Sequence, residues 1–142
     1  PASASNVSSQ TLDSFEEGTF TCTFAHMGNG TYNHRMGRYI KVGNWVTANF
    51  HMDINAIGTA SGQLVIQGLP FTSVSTANNY GSMTTSHASG WSGAVTNLGC
   101  LVGPSTAHMS GYYQLSNGVM ASATHAQMQV GNWLGTIIYE AA

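Results

Sequence analysis

The chain has 142 residues, which is enough for one domain with a single hydrophobic core. Only 6% of its residues are charged, against about 25% in ordinary soluble domains, and its net charge is -2. Three Lys and Arg residues supply no phosphate-neutralising patch, which argues against a nucleic-acid partner and against adsorption to anionic membranes. The sequence has no run of about 18 apolar residues, so membrane insertion is not expected.

The low charge has two explanations, and the aromatic content separates them. A disordered chain is one, because polar tracts of Ser, Thr, Gly and Asn bury too little apolar surface to offset chain entropy. The sequence is, however, 42% hydrophobic and has five Phe, six Tyr and three Trp, which are numbers typical of a packed core. An ordered β-rich domain is therefore expected. Its small net charge favours self-association, because little repulsion keeps copies apart.

The start of the chain differs in composition from the rest. Residues 1–18 begin with a run of Ser, Ala and Asn and are predicted to form a linker or extended lead-in. A single β domain is predicted over residues 19–142. Within it, Thr19–Phe24 alternates between polar and apolar residues, with its two Phe and Cys22 on one side, as expected of a strand.

The clearest strand lies at Trp45–Ile54. Every second residue of this stretch is apolar, whereas a helix would scatter these residues around its axis. A shorter strand, Arg38–Val42, precedes it, and Gly43-Asn44 between the two is predicted to be a hairpin turn because both residues tolerate positive φ. The predicted core face consists of Val46, Ala48, Phe50, Met52 and Ile54, and the predicted outer face consists of Trp45, Thr47, Asn49, His51 and Asp53.

Further short strands follow at about ten-residue spacing, and helical periodicity is absent. Asn117-Gly118 is a strong hairpin signal between two of them. The pattern predicts an all-β fold, an antiparallel β-sandwich that is jelly-roll-like and has about eight to ten strands. The later strands are predicted near Gln63–Gln67, Tyr80–Ser86, Gly93–Val102, Ala107–Leu115, Met120–Gln127 and Leu134–Tyr139.

The tetrapeptide Val-Gly-Asn-Trp occurs twice, at 42–45 and at 130–133. The sequences before the two copies differ, which does not support an internal duplication. Both copies are predicted to be a strand, a Gly-Asn turn and a second strand, with Trp first after the turn.

The residues show no pattern for catalysis. Asp53, Glu16-Glu17 and Glu140 have no spacing that would bring two carboxylates together across a cleft, as a glycosidase requires. Gly-x-Ser-x-Gly is missing, so no nucleophile elbow is available. No catalytic residue, metal ligand or cofactor is therefore predicted, although a metal site assembled across a symmetry axis stays open. The histidines, which form no metal-binding motif, are His26, His34, His51, His87, His108 and His125.

The two cysteines, Cys22 and Cys100, lie far apart in the sequence. Two cysteines allow one disulfide but do not make the framework typical of small secreted domains. Buried free thiols are the favoured interpretation.

Aromatic residues beside amides and hydroxyls suggest a binding site, because sugars are held by aromatic faces assisted by such polar groups. Three stretches have this character and lie in predicted loops or outward positions. The alternative is that Trp91 and one of the tyrosines fill the core or a subunit interface. The candidate ligand-binding residues are Asn78, Asn79, Tyr80, Trp91, Tyr112 and Tyr113.

Several stretches of residues 12–75 together resemble known domains. Leu12–Phe20 resembles the Leu-Asp-Asp-Tyr-Glu-Glu-Gly-Thr-Trp lead-in of many phage structural proteins. Gly37–Val46 resembles the Gly-Arg-Tyr-Thr-Lys-Ile-Gly-Asn hairpin of the same domains. The set is similar to C-terminal domains of tail fibres and tailspikes from tailed phages, with relatives in other large DNA viruses. The pattern is completed by Gly58–Gly62, Leu64, Ile66 and Gly68–Phe71.

The resemblance implies a β-sandwich, jelly-roll-like domain that forms a homotrimer at a fibre tip on the virion. It also implies attachment to a host receptor or surface glycan, or nucleation of trimer assembly. The matched residues look structural, so no binding residue is carried over. The expected function is non-enzymatic host-surface recognition with homotrimerisation. The alternatives are a purely structural trimerisation or capping domain of a longer fibre or tailspike, and a glycan-degrading enzyme, which would need a carboxylate pair.

Overall fold

The computed structural model describes residues 14–92, 95, 97–115 and 117–142, and these residues form an all-β domain. The predicted strand start at Gly93 lies outside the described residues. No helix in the described ranges has the length and hydrophobicity needed to cross a membrane. The strands are β1 Phe15–Phe20, β2 Thr23–Phe24, β3 Thr31–Val42, β4 Trp45–Ala56, β5 Val65–Gln67, β6 Gly81–Ala88, β7 Asn97–Val102, β8 His108–Gln114, β9 Met120–Ser122 and β10 Gly131–Glu140.

The strands belong to one antiparallel sheet in the order β1-β3-β4-β10-β6-β7-β8-β5-β2, with β9 paired to β8. The sheet curls around a single cluster of buried apolar side chains, which come from strands along its whole width. This arrangement confirms the predicted all-β, antiparallel, β-sandwich-like fold with eight to ten strands. β1 begins at Phe15 and pairs with β3, so the end of the predicted lead-in belongs to the sheet.

The β3–β4 hairpin is the longest element, with 12 residues in each strand. Val42 pairs with Trp45 across the predicted Gly43-Asn44 turn, and Gly43 has a φ of 59°. The alternation predicted for Trp45–Ile54 is confirmed, because the five predicted core residues are all buried. Their neighbours on the outer face are exposed or half-buried.

Trp133 of β10 lies at the centre of the core and is fully buried. Its ring stacks on Phe24 at 6.1 Å and meets the edges of Phe50 at 5.9 Å and Trp91 at 5.1 Å. Its Nε1–H donates to Thr85 Oγ1 at 3.2 Å, so the polar end of the indole is satisfied within the core. Trp133 therefore joins β2, β4 and β6 to β10.

The second Val-Gly-Asn-Trp copy was predicted to contain a turn, and this prediction is wrong. Gly131 and Asn132 lie inside β10 and pair with Ile54 and Asp53 of β4. A Cβ on Gly131 would clash with the carbonyl of Ser89, where the chain crosses close to the start of β10. The glycine is therefore needed for a close backbone approach and not for a turn.

The strand predicted near Met120–Gln127 is also too long. β9 ends at Ser122, and His125–Gln127 forms one turn of 3-10 helix. Thr124 caps this turn, because its side chain accepts from Ala126 N–H while the Gln127 side chain accepts from Thr124 N–H. This reciprocal capping stabilises a helical turn over continued strand pairing.

Both cysteines are buried in the core and free, which confirms the favoured interpretation. Burial raises the pKa of Cys22 to about 12 and raises the pKa of Cys100 as well. Both groups therefore remain protonated thiols in the folded protein at neutral pH.

Phe50→Ala is expected to lower the free energy of unfolding by about 3–5 kcal/mol, because it removes a buried ring that packs on Trp133. His51→Ala, on the outer face, is expected to cost about 1 kcal/mol, since it loses one hydrogen bond to Asn132. Urea unfolding of both variants measures the difference. Equal costs would show that the assigned faces of β4 are wrong.

Candidate functional site

A groove opens where β6 and β7 part. The two strands pair only at Gly81 with Val102 and Ser82 with Leu101. Farther along, β6 continues beside β10 and β7 continues beside β8. The space between them has a volume of about 580 Å3, within the range of about 300–1,000 Å3 common for small-ligand sites.

The floor of the groove is apolar and its rim is polar. Met83, Leu98 and Cys100 are buried and line its base. Thr84 and Asn97 are exposed at its edges and offer hydroxyl and amide groups to a ligand. An adjoining cavity of about 250 Å3 continues the groove, with which it shares Thr85, Asn97 and Leu98.

Tyr112 of β8 forms one wall and pairs with Gly99 of β7. A Cβ built on Gly99 would come no closer than 4.0 Å to any atom, the nearest being the carbonyl oxygen of Met83. Packing therefore does not require glycine at this position. Its missing side chain leaves space beside Tyr112, where a ligand can enter.

The structure brings two of the predicted ligand-binding residues to this groove. Tyr112 lines the main cavity and Trp91 lines the adjoining one. Trp91 is half-buried and packs edge-on against Trp133, so its ring is partly used by the core. Tyr113 points to the other side of β8 and packs against the core cluster.

The other three candidates lie together on the loop before β6. Asn78 has a φ of 65°, and Asn79 Nδ2 donates to Glu140 Oε2 at 2.5 Å. Tyr80 is 52% exposed. Tyr80 is not among the residues that line the groove, so the six candidates divide among the groove, the core and this loop.

Five exposed apolar residues lie close together on the outer face of the sheet. Phe15, Val42 and Trp45 are directly paired neighbours across β1, β3 and β4. In the adjacent row, Ile40 and Ile138 flank Thr47 from either side. We call this set the outer apolar patch, and its members are Phe15, Ile40, Val42, Trp45 and Ile138, each of them 44–58% exposed.

The outer apolar patch was not predicted as a binding surface, although the sequence contains its signal. The clean alternation of β4 places Trp45 on the outer face, and an exposed aromatic side chain marks an interaction surface when its neighbours are apolar as well. Glu17 of β1 pairs with Ile40, and Arg38 of β3 pairs with Asn49, so charges of both signs lie beside the patch. Such a surface is compatible with contact between identical copies.

Three of the four acids in the described part of the chain contact neutral groups. Glu16 accepts from Tyr39 Oη at 2.8 Å, Asp53 accepts from Asn33 Nδ2 at 3.2 Å, and Glu140 accepts from Asn79. Asp13 lies outside the described residues. Among the residues that the structure describes, no group of three or more His, Cys, Asp and Glu is arranged to hold a metal ion.

No family model, curated protein or solved structure matches this chain.

Proposed function

We propose that this chain is a non-enzymatic attachment domain at the tip of a viral fibre, which assembles as a homotrimer and binds a host-surface glycan. The observation that carries the proposal is the outer apolar patch. Five large apolar side chains that are exposed and contiguous on one sheet face favour burial against another protein surface.

A second copy of the chain is the partner that best suits this patch. The net charge of -2 leaves little repulsion between copies, and charges of both signs lie beside the apolar residues. Trp45 is the most exposed member, at 58%, and tryptophan is among the residues that contribute most to interface affinity. The trimeric state and the location on a viral fibre are inferred from the resemblance of residues 12–75 to tail-fibre and tailspike domains.

The β6–β7 groove is the proposed glycan site. Tyr112 offers an aromatic surface for the C–H face of a sugar, and Thr84 and Asn97 offer hydrogen bonds at the rim. None of the described residues that line the groove or its adjoining cavity is Asp or Glu. Hydrolysis of a glycosidic bond by a carboxylate pair is therefore not supported at this site.

A purely structural role in trimerisation is the second candidate function. The apolar floor formed by Met83, Leu98 and Cys100 favours it, since a sugar gains little from such a surface. In that case the groove would have no ligand and the outer apolar patch would be the functional surface.

The trimer is tested with Trp45→Glu and Ile138→Glu, which place a charge in the outer apolar patch. Sedimentation of the wild-type chain at micromolar concentration is expected to show a trimer, and each variant is expected to dissociate to a monomer because the buried carboxylates would be unpaired. Val119→Glu is the control, since Val119 is 54% exposed but lies in the β8–β9 turn. A monomeric wild-type chain would refute the trimer.

The glycan site is tested with Gly99→Val, which adds a side chain in the groove beside Tyr112 and whose Cβ has no other atom closer than 4.0 Å. Binding on a glycan array is expected to be lost, while the unfolding midpoint remains near that of the wild type because valine suits a strand. Gly103→Val is the matched control, because a Cβ there also has room, with its nearest atom at 3.9 Å, outside the groove. Unchanged glycan binding by Gly99→Val would exclude the groove, and the absence of any glycan signal from the wild type would favour the structural role.

A further inference from the structure

Two histidines meet on the outer face of the β3–β4 hairpin. The ring centroids of His34 and His51 are 5.0 Å apart, and the ring planes are inclined at 51°. His34 is exposed and His51 is half-buried, so both rings can be reached from solvent. Neither residue lines the β6–β7 groove or belongs to the outer apolar patch.

The register of the hairpin creates this contact. His34 pairs with Asp53, and Met36 pairs with His51, so the two histidines are diagonal neighbours on the same face. An irregularity in the ladder between Tyr32 and His34 leaves Asn33 as an extra residue in β3. The bulge sets which side chains of β3 face outward at this end of the hairpin.

The hydrogen bond of His51 selects its tautomer. His51 Nε2 lies 2.7 Å from Asn132 Oδ1, and an amide oxygen can only accept, so Nε2 carries the hydrogen. The neutral ring then has its lone pair on Nδ1. Histidines that bind metals commonly donate their second N–H to an oxygen in this way, which fixes the ring and makes the ligating nitrogen more basic.

We propose that His34 and His51 form a two-imidazole binding site for a divalent transition-metal ion of the zinc, nickel and copper class. Imidazole nitrogen suits these ions, whereas Mg2+ and Ca2+ prefer oxygen ligands. His51 binds through Nδ1, and Asn132 acts as the positioning residue behind it. Asp53 lies opposite His34 in the ladder, but its Oδ2 already accepts from Asn33.

The site is open. Within the described ranges, no third His, Cys, Asp or Glu completes a set of three ligands around these two rings. The ion therefore keeps water molecules at its remaining positions and exchanges with solvent, unlike a closed structural zinc site. The two ligands come from one chain, so the site does not depend on the proposed trimer or on the proposed glycan groove.

The test is the thermal unfolding midpoint of the full chain with Zn2+ or with EDTA. An ion that binds only the folded chain raises its stability in proportion to the logarithm of the Zn2+ concentration. The wild-type midpoint is expected to rise with Zn2+, and the rise is expected to vanish in His34→Ala and in His51→Ala. His87→Ala and His108→Ala are the controls and are expected to retain it.

Two further variants separate metal binding from general effects. Asn132→Ala is expected to weaken Zn2+ binding by about tenfold or more in calorimetric titration, while its midpoint in EDTA falls only by the few degrees that the loss of one hydrogen bond costs. Trp45→Glu, the monomer-forming variant, is expected to keep the full response to Zn2+. No response in the wild type, or an equal response in His34→Ala, His51→Ala and the wild type, would overturn the proposal.

Discussion

The hydrogen-bond relay that starts at Trp133 is the interaction on which the rest of the structure depends. The buried indole must satisfy its N–H without water, and Thr85 Oγ1 of β6 accepts it. Thr85 Oγ1 in turn donates to the backbone carbonyl of Leu98 in β7 at 2.6 Å. One hydroxyl therefore links β10, β6 and β7, and the ring above it packs on aromatic side chains from β2 and β4.

The same relay explains why a groove exists. Beyond Ser82 and Leu101, no residues of β6 and β7 are paired. In this part the two strands are linked by the hydrogen bond from Thr85 Oγ1 to the Leu98 carbonyl. A hydrogen bond from a side chain to a backbone carbonyl leaves the two backbones farther apart than a backbone-to-backbone hydrogen bond does. The Thr85–Leu98 contact therefore keeps the two strands separated. The gap is open to the outer side because Gly99 has no side chain to fill it. The core and the candidate ligand site thus share one polar contact.

The sequence predicted the fold class well because its strands obey simple periodicity. The buried and exposed faces of β4 follow directly from the alternation of Trp45–Ile54, and the Gly43-Asn44 turn follows from its residues. The turn that the same four-residue motif predicts at Gly131 is absent. Gly131 is needed because the backbone at Ser89 passes close to it, and such a tertiary contact cannot be predicted from a local pattern. Thr124 and Gln127 carry a capping-box pattern that the strand prediction overlooked.

The candidate sites were less predictable, since both depend on contacts between distant strands. The sequence neighbours of Tyr112 and Trp91 indicate binding residues, but the separation of β6 from β7 is what places both beside one groove. The local sequence predicts that Trp133 follows a turn, whereas Trp133 is a buried residue of β10 in the core. Trp45 was correctly placed on the outer face, but its paired neighbours Phe15 and Val42 became evident only from the register.

Cys22 gives this domain a built-in measure of core opening. It is fully buried, and burial raises its pKa to about 12, so thiol reagents meet neither a thiolate nor an accessible sulfur there in the closed state. Reaction requires a fluctuation that exposes the core to solvent. The rate of thiol labelling therefore reports how often the curled sheet opens, and it does so without an introduced probe.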